Sequence, residues 1–277
     1  MKVRWLLIGC LMAVLACESG PERAFDDPDE YVRYGNAYLR RETPRFMQAA
    51  KQFKYALDLD ADHFDALIGL GDALMFRAKA LSVAKSKREE ASSGNQQGDR
   101  EPSGPQASPP SPADGQVPGE GRPRPRDQEQ GKSLEERISS LLGQATTAYK
   151  KARKTRPESA IPYYKYARLI YMFRDRDPQE VTRSRRLLNE ALDRATEQNN
   201  PQLRAKVLFY LGNATLYIEQ LKPAGEQDYS EVTSYFNRYL DIFDERDIQA
   251  PRRAEVENLL MQIEDYQEEQ NESGSNP

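Results

Sequence analysis

Asp58, Asp60 and Asp62 alternate in the way an EF-hand calcium loop opens, with carboxylates on every second residue. The rest of that loop is missing. His63 stands where its sharp turn wants glycine, and Gly69 where a bidentate glutamate would close the site, so the three aspartates read as a polar exit between helices. His63 is the only histidine in the chain. Any Ser-His-Asp or Cys-His arrangement has to use it, yet no nucleophile partner is recognisable in sequence, and an exposed turn histidine is expected. Cys10 and Cys17 are the only cysteines, so the part of the chain that folds has no disulfide, thiol nucleophile or thiolate metal ligand. Zinc sites built from several His or Cys ligands cannot be assembled. No P-loop, G-x-G-x-x-G after a strand, G-x-S-x-G or H-E-x-x-H occurs. The expectation is a protein that is not an enzyme and that uses neither cofactor nor metal.

Charge narrows the partners. The formal net charge is -4, and removal of residues 1–16, which takes away Lys2 and Arg4, leaves -6. Binding to a nucleic-acid backbone needs a concentrated basic surface. The nearest thing to one is Lys150, Lys151, Arg153, Lys154 and Arg156, which falls in the last turns of an expected helix, where cations suit the macrodipole. A solvated helix face is the reading, and nucleic acid is not an expected partner.

The cysteines point instead to the N-terminus. Lys2 and Arg4 precede an apolar run from Trp5 to Leu15, the charged and hydrophobic regions of an export signal, too short to span a bilayer. The run ends in Val14-Leu15-Ala16-Cys17, which resembles the bacterial lipobox, although Leu15 is not the preferred small or hydroxyl residue. That resemblance implies a signal peptide over 1–16 and lipidation at Cys17, with residues 17–28 as a tether. Several acyl chains on one cysteine hold stably, since each buried methylene contributes about 0.8 kcal/mol. Glu18 after the cysteine resembles the enterobacterial pattern that permits sorting to the outer membrane. The expected location is therefore the bacterial envelope, lipid-anchored on the outer membrane and facing the periplasm.

Mean hydropathy is -0.84 and 30% of residues are charged, leaving little apolar material for one large core. Leu, Ala, Tyr and Phe recur at helical spacing, and runs of alternating Val and Ile are missing, so the class is all-α. Tyr34-Gly35-Asn36-Ala37-Tyr38 is echoed by Leu70-Gly71-Asp72-Ala73-Leu74 and by Leu211-Gly212-Asn213-Ala214-Thr215. Small residues at these points let a partner helix lie close. The partner helices carry Ala49, Phe53, Ala56 and Leu59, then Ala145, Tyr149, Ala152 and Pro157. Weaker copies follow at Ser184, Leu188 and Ala191, and at Val232, Phe236 and Tyr239. The pattern resembles the tetratricopeptide repeat (TPR). It implies a right-handed α-solenoid of about four helical hairpins over residues 29–90 and 133–269. Val256, Leu259, Leu260, Ile263 and Tyr266 would line a final capping helix, of the kind that closes a solenoid end, and residues 270–277 would be a disordered tail.

Residues 91–132 interrupt the second repeat. Eight prolines lie between Pro102 and Pro125, and the segment has no aromatic residue, so it is expected to be disordered. Closing such a loop costs on the order of 3 kcal/mol, which a stack of packed helices absorbs. The apolar spacing of Leu67, Leu70, Leu74, Ala78 and Leu81 on one flank, and of Leu134, Ile138, Leu141 and Ala145 on the other, runs past the usual helix length. The second hairpin should project beyond its neighbours.

In TPR proteins the first helix of each repeat lines a concave groove. By that resemblance the groove positions are Val32, Asn36 and Leu39 in the first repeat and Ile68, Asp72 and Met75 in the second. Tyr164, Arg168 and Tyr171 follow in the third, and Phe209, Asn213, Leu216 and Tyr217 in the fourth. Aromatic anchors with a few polar groups suit capture of a peptide or helix. The lysines of the TPR clamp for C-terminal carboxylates are not matched, Val32 standing where one belongs. The resemblance implies a scaffold that recruits or helps assemble envelope proteins. The alternative is a substrate-binding lipoprotein that holds a small molecule or peptide in the same groove.

Overall fold

The computed structural model describes residues 25–94, 132–173, 177–246 and 248–274. Cys17, the export signal and residues 95–131 of the expected insertion lie outside them. The described residues form α-helices and connections: α1 (Pro28–Leu39), α2 (Phe46–Leu59), α3 (Phe64–Gly94), α4 (Leu134–Thr155), α5 (Ala160–Phe173), α6 (Pro178–Glu197), α7 (Pro201–Gln220), α8 (Ser230–Asp244) and α9 (Arg253–Gly274). None of these helices is long and apolar enough to cross a membrane.

Local chemistry sets where the helices start. Asp27-Pro28, Asp177-Pro178 and Asn200-Pro201 each put an Asx residue at the N-cap and proline in the first turn. The side-chain oxygen takes an orphan N–H, and proline brings no N–H of its own to satisfy. Ser133 opens α4 with a capping box: its hydroxyl accepts from the Glu136 N–H while the Glu136 carboxylate accepts from the Ser133 N–H. At the other end of the third hairpin, Asn199 takes a positive φ of 49°, the left-handed conformation that commonly stops a helix. The Asn200 N–H then donates to the Ala195 carbonyl, so one dipeptide ends α6 and starts α7.

Successive helices pair as antiparallel hairpins α1/α2, α3/α4, α5/α6 and α7/α8. Each second helix also packs on the first helix of the next hairpin, and α1, α3, α5 and α7 meet one another in series. This is a TPR-like α-solenoid with one face lined by the first helices. The contact that repeats is a glycine under a ring. A Cβ added at Gly35 would lie 2.7 Å from the Phe53 ring, at Gly71 2.4 Å from Tyr149, and at Gly212 2.4 Å from Phe236. All three rings are enclosed. In the third hairpin Ala167 takes the place of glycine, and the Ser184 hydroxyl donates to its carbonyl at 2.9 Å.

The second hairpin does project. The α3 helix has 31 residues and α4 has 22, against 12 and 14 in the first hairpin. Lys85 bridges to Glu135 at 2.8 Å between the long arms. Three expected boundaries move. Ordered packing begins at Phe25, whose ring lies 5.2 Å from Tyr31 and 5.3 Å from Tyr34, inside the stretch expected as a tether to residue 28. The α3 helix continues to Gly94 rather than stopping at 90. The last helix runs to Gly274 instead of 269, about one turn beyond the helix-favouring run from Gln267 to Gln270. Along α9, Val256 and Ile263 are buried, Leu259, Leu260 and Tyr266 pack beside them, and the Tyr266 ring meets Tyr229 edge-on at 5.6 Å.

Candidate interaction face

Asp60, Asp62 and His63 serve the hairpin junctions. The Asp60 carboxylate accepts from the Asp62 N–H, and Asp62 pairs with Lys151 at 3.2 Å. His63 is not the exposed turn residue expected: its side chain is only 14% exposed. Nδ1 accepts from the Ala66 N–H at 3.3 Å, capping α3, and Nε2 lies 3.0 Å from an Asp29 carboxylate oxygen on α1.

In the first half of the expected groove two positions, Val32 and Met75, are taken up by packing. Met75 is fully enclosed, which removes it from any surface that a partner could touch, and Val32 is buried as well. Leu39 packs partly against the main core, and Ile68 does so against Phe64, Leu67 and Ala152. Asn36 remains half-buried. Asp72 is consumed internally. Its Oδ1 accepts from the Tyr149 hydroxyl at 2.7 Å, and its Oδ2 from the Lys165 ammonium at 2.7 Å. Burial, reinforced by the Asp72 carboxylate, pushes the Tyr149 hydroxyl well above its ordinary value of 10.0.

The second half stays open. Tyr164, Arg168, Phe209 and Tyr210 from α5 and α7, with Tyr239 and Phe243 from α8 and Arg252 beyond it, line a hollow of about 410 Å³. Beside it Tyr171, Asn213, Leu216 and Tyr217 line another of about 500 Å³. Tyr210 touches residues of both hollows: its ring centroid lies 5.8 Å from Tyr164, 5.9 Å from Tyr171 and 5.6 Å from Phe209, each edge to face. Tyr210 thus belongs to the candidate face, at a position outside those the repeat pattern implies. The signal was available, since it precedes Asn213 by three and Tyr217 by seven residues and shares their face of α7.

Tyr164 and Phe209 are only 5% and 6% exposed, so they form walls more than contact points. Burial pushes the Tyr164 hydroxyl up to about 12. The Arg168 guanidinium lies 5.6 Å from the Phe76 ring and 5.8 Å from the Tyr210 ring, joining the second, third and fourth repeats along one face. Burial works against its charge, but the hydroxyls of Tyr210 and Tyr164 and the Asp72 carboxylate outweigh that effect and hold it ionised. Asn213 spends one amide hydrogen on the Phe209 carbonyl of its own helix, at 2.8 Å.

The fold and this face define a helical-repeat protein of TPR-like architecture. No protein-family model matches the chain, and no curated protein matches it. Among solved structures, one titled as a functional characterisation of Pseudomonas aeruginosa PilF is 15% identical, covering 88% of this chain and 97% of its own, with a TM-score of 0.26. So slight a likeness carries no argument, and the repeat architecture rests on the helix packing described above.

Proposed function

We propose that the chain is a non-catalytic, membrane-anchored scaffold that recruits or helps assemble envelope proteins through the face lined by α5 and α7. The supporting observation is the pair of aromatic hollows flanking Tyr210, beside a first half of the same face where Val32 and Met75 are buried and Asp72 is paired internally. Rings bury area at low entropic cost, and the half-exposed Arg168 and Asn213 supply orientation, a combination typical of protein-capture surfaces. Lipidation at Cys17 would hold that face at the outer-membrane surface, toward the periplasm.

The test is a crosslinking pull-down from detergent-solubilised envelope with tagged full-length protein, in parallel with Cys17→Ser. Enrichment of a defined envelope complex, reduced without the anchor, is the expected result. If nothing enriches and Cys17→Ser fractionates like the parent, both the anchor and the scaffold are wrong. The hollows also fall in the size range of small-molecule sites. Stabilisation of the protein by a metabolite, without protein capture, would move the function to ligand binding.

A further inference from the structure

The hollow between α5, α7 and α8 is charged in a way that runs against the rest of the chain. The sequence carries more acids than bases, yet the lining of this hollow includes Arg168, Lys206 and Arg252 and no aspartate or glutamate. These cations are unequally committed. Arg252 pairs with Glu255 at 3.2 Å and lies 4.5 Å from the Phe209 ring. The Arg168 Nε is buried and has no hydrogen-bond partner. Lys206 is exposed and makes no ion pair or hydrogen bond among the described residues. An apolar pocket lined by an exposed lysine and two arginines, with no carboxylate in its lining, suits an apolar group flanked by negative charge.

Resting on the interaction face described above, we propose that this hollow takes an acidic segment of a partner protein. A leucine-sized or aromatic side chain fills the pocket, and adjacent Asp or Glu carboxylates reach Lys206, Arg168 and Arg252. The volume of about 410 Å³ suits one large side chain with its flanking backbone. Carboxylates would pair with the exposed Lys206 and share Arg252 with Glu255, beside the Arg168 charge. Attraction of this kind steers association and is screened by salt.

The test probes full-length protein in detergent against an array of random peptides, with Lys206→Glu in parallel. Lys206 is exposed, so the variant should fold, and a circular dichroism spectrum like that of the parent checks this. Captured peptides should be enriched in a large apolar residue beside Asp or Glu. Signal from those peptides should fall about tenfold in Lys206→Glu and fall in the parent as salt rises. Peptides captured without acidic bias, or an acidic bias that Lys206→Glu leaves unchanged, would overturn the inference while leaving the interaction face standing. Capture of no peptide at all would overturn both.

Discussion

The second and fourth hairpins share one architectural contact and use it to opposite ends. In both, a glycine on the first helix lies beneath a ring from the second, and a polar residue follows the glycine. Over Gly71 the ring is Tyr149, whose hydroxyl reaches Asp72 and, with Lys165, occupies the carboxylate. Over Gly212 the ring is Phe236, which has no hydroxyl, and Asn213 lines an open hollow. One phenolic oxygen thus separates a position sealed into the fold from one that lines an open hollow. Position in a repeat sets where a side chain starts, and the packing beneath it decides whether it remains available.

The comparison can be broken first at the ring. Phe236→Ala removes an enclosed side chain beside Gly212 and should cost about 3–5 kcal/mol in urea unfolding; a much smaller loss would mean that the glycine-ring contact does not hold the hairpin. Tyr149→Phe keeps the ring and removes the hydroxyl donated to Asp72, and should cost about 1–3 kcal/mol. Adding Asp72→Asn gives the second hairpin the Phe and Asn pairing of the fourth. The double variant should lose less than the two single variants summed, by at least about 0.5 kcal/mol, as expected for residues in contact. Strict additivity would show that the oxygen is not the difference.

Alkaline pH bears on the same contrast. Tyr164 in the open half is pushed up to about 12 by burial, and so is Tyr235 on α8, with a further contribution from Glu231. The folded state therefore holds these protons after the unfolded chain has begun to release them near pH 10. Their contribution to stability is fully present below pH 10 and is lost as pH rises through 12. Unfolding free energy should decline over that window, and Tyr164→Phe should shrink the decline. The smallest effect on stability belongs to Tyr171→Ala, a half-buried wall residue, at about 1 kcal/mol or less. It should nonetheless weaken partner capture, whereas Leu39→Ala in the closed half should leave capture unchanged.

Much of the fold was legible because it is written in short-range terms. Asx-Pro pairs mark three helix starts, and the echo of Gly35, Gly71 and Gly212 marks the hairpins, as do their partners Phe53, Tyr149 and Phe236. The candidate site was half legible. Asp72 and Asn213 look interchangeable in the repeat, and their difference arises from a hydroxyl 77 residues away in one case. Met75 falls on the expected face, but the enclosure that buries it comes from neighbouring helices. Tyr210 does not stand out in the repeat register, which marks its neighbour Phe209, mostly a wall, rather than the ring between the two hollows. Phe209→Ala would leave a cavity beside Phe236 and Tyr239, so Tyr171 and Lys206 are cleaner probes of capture.

The most direct measurement places a photo-crosslinking amino acid in the full-length protein at Tyr171 or Lys206, on the open half, and at Leu39 or Ile68, on the closed half. Irradiation of intact envelopes should yield defined protein adducts from positions 171 and 206 and little from 39 and 68. Equal crosslinking from both halves, or adducts confined to the first, would contradict the assignment of the α5–α7 face as the capture surface.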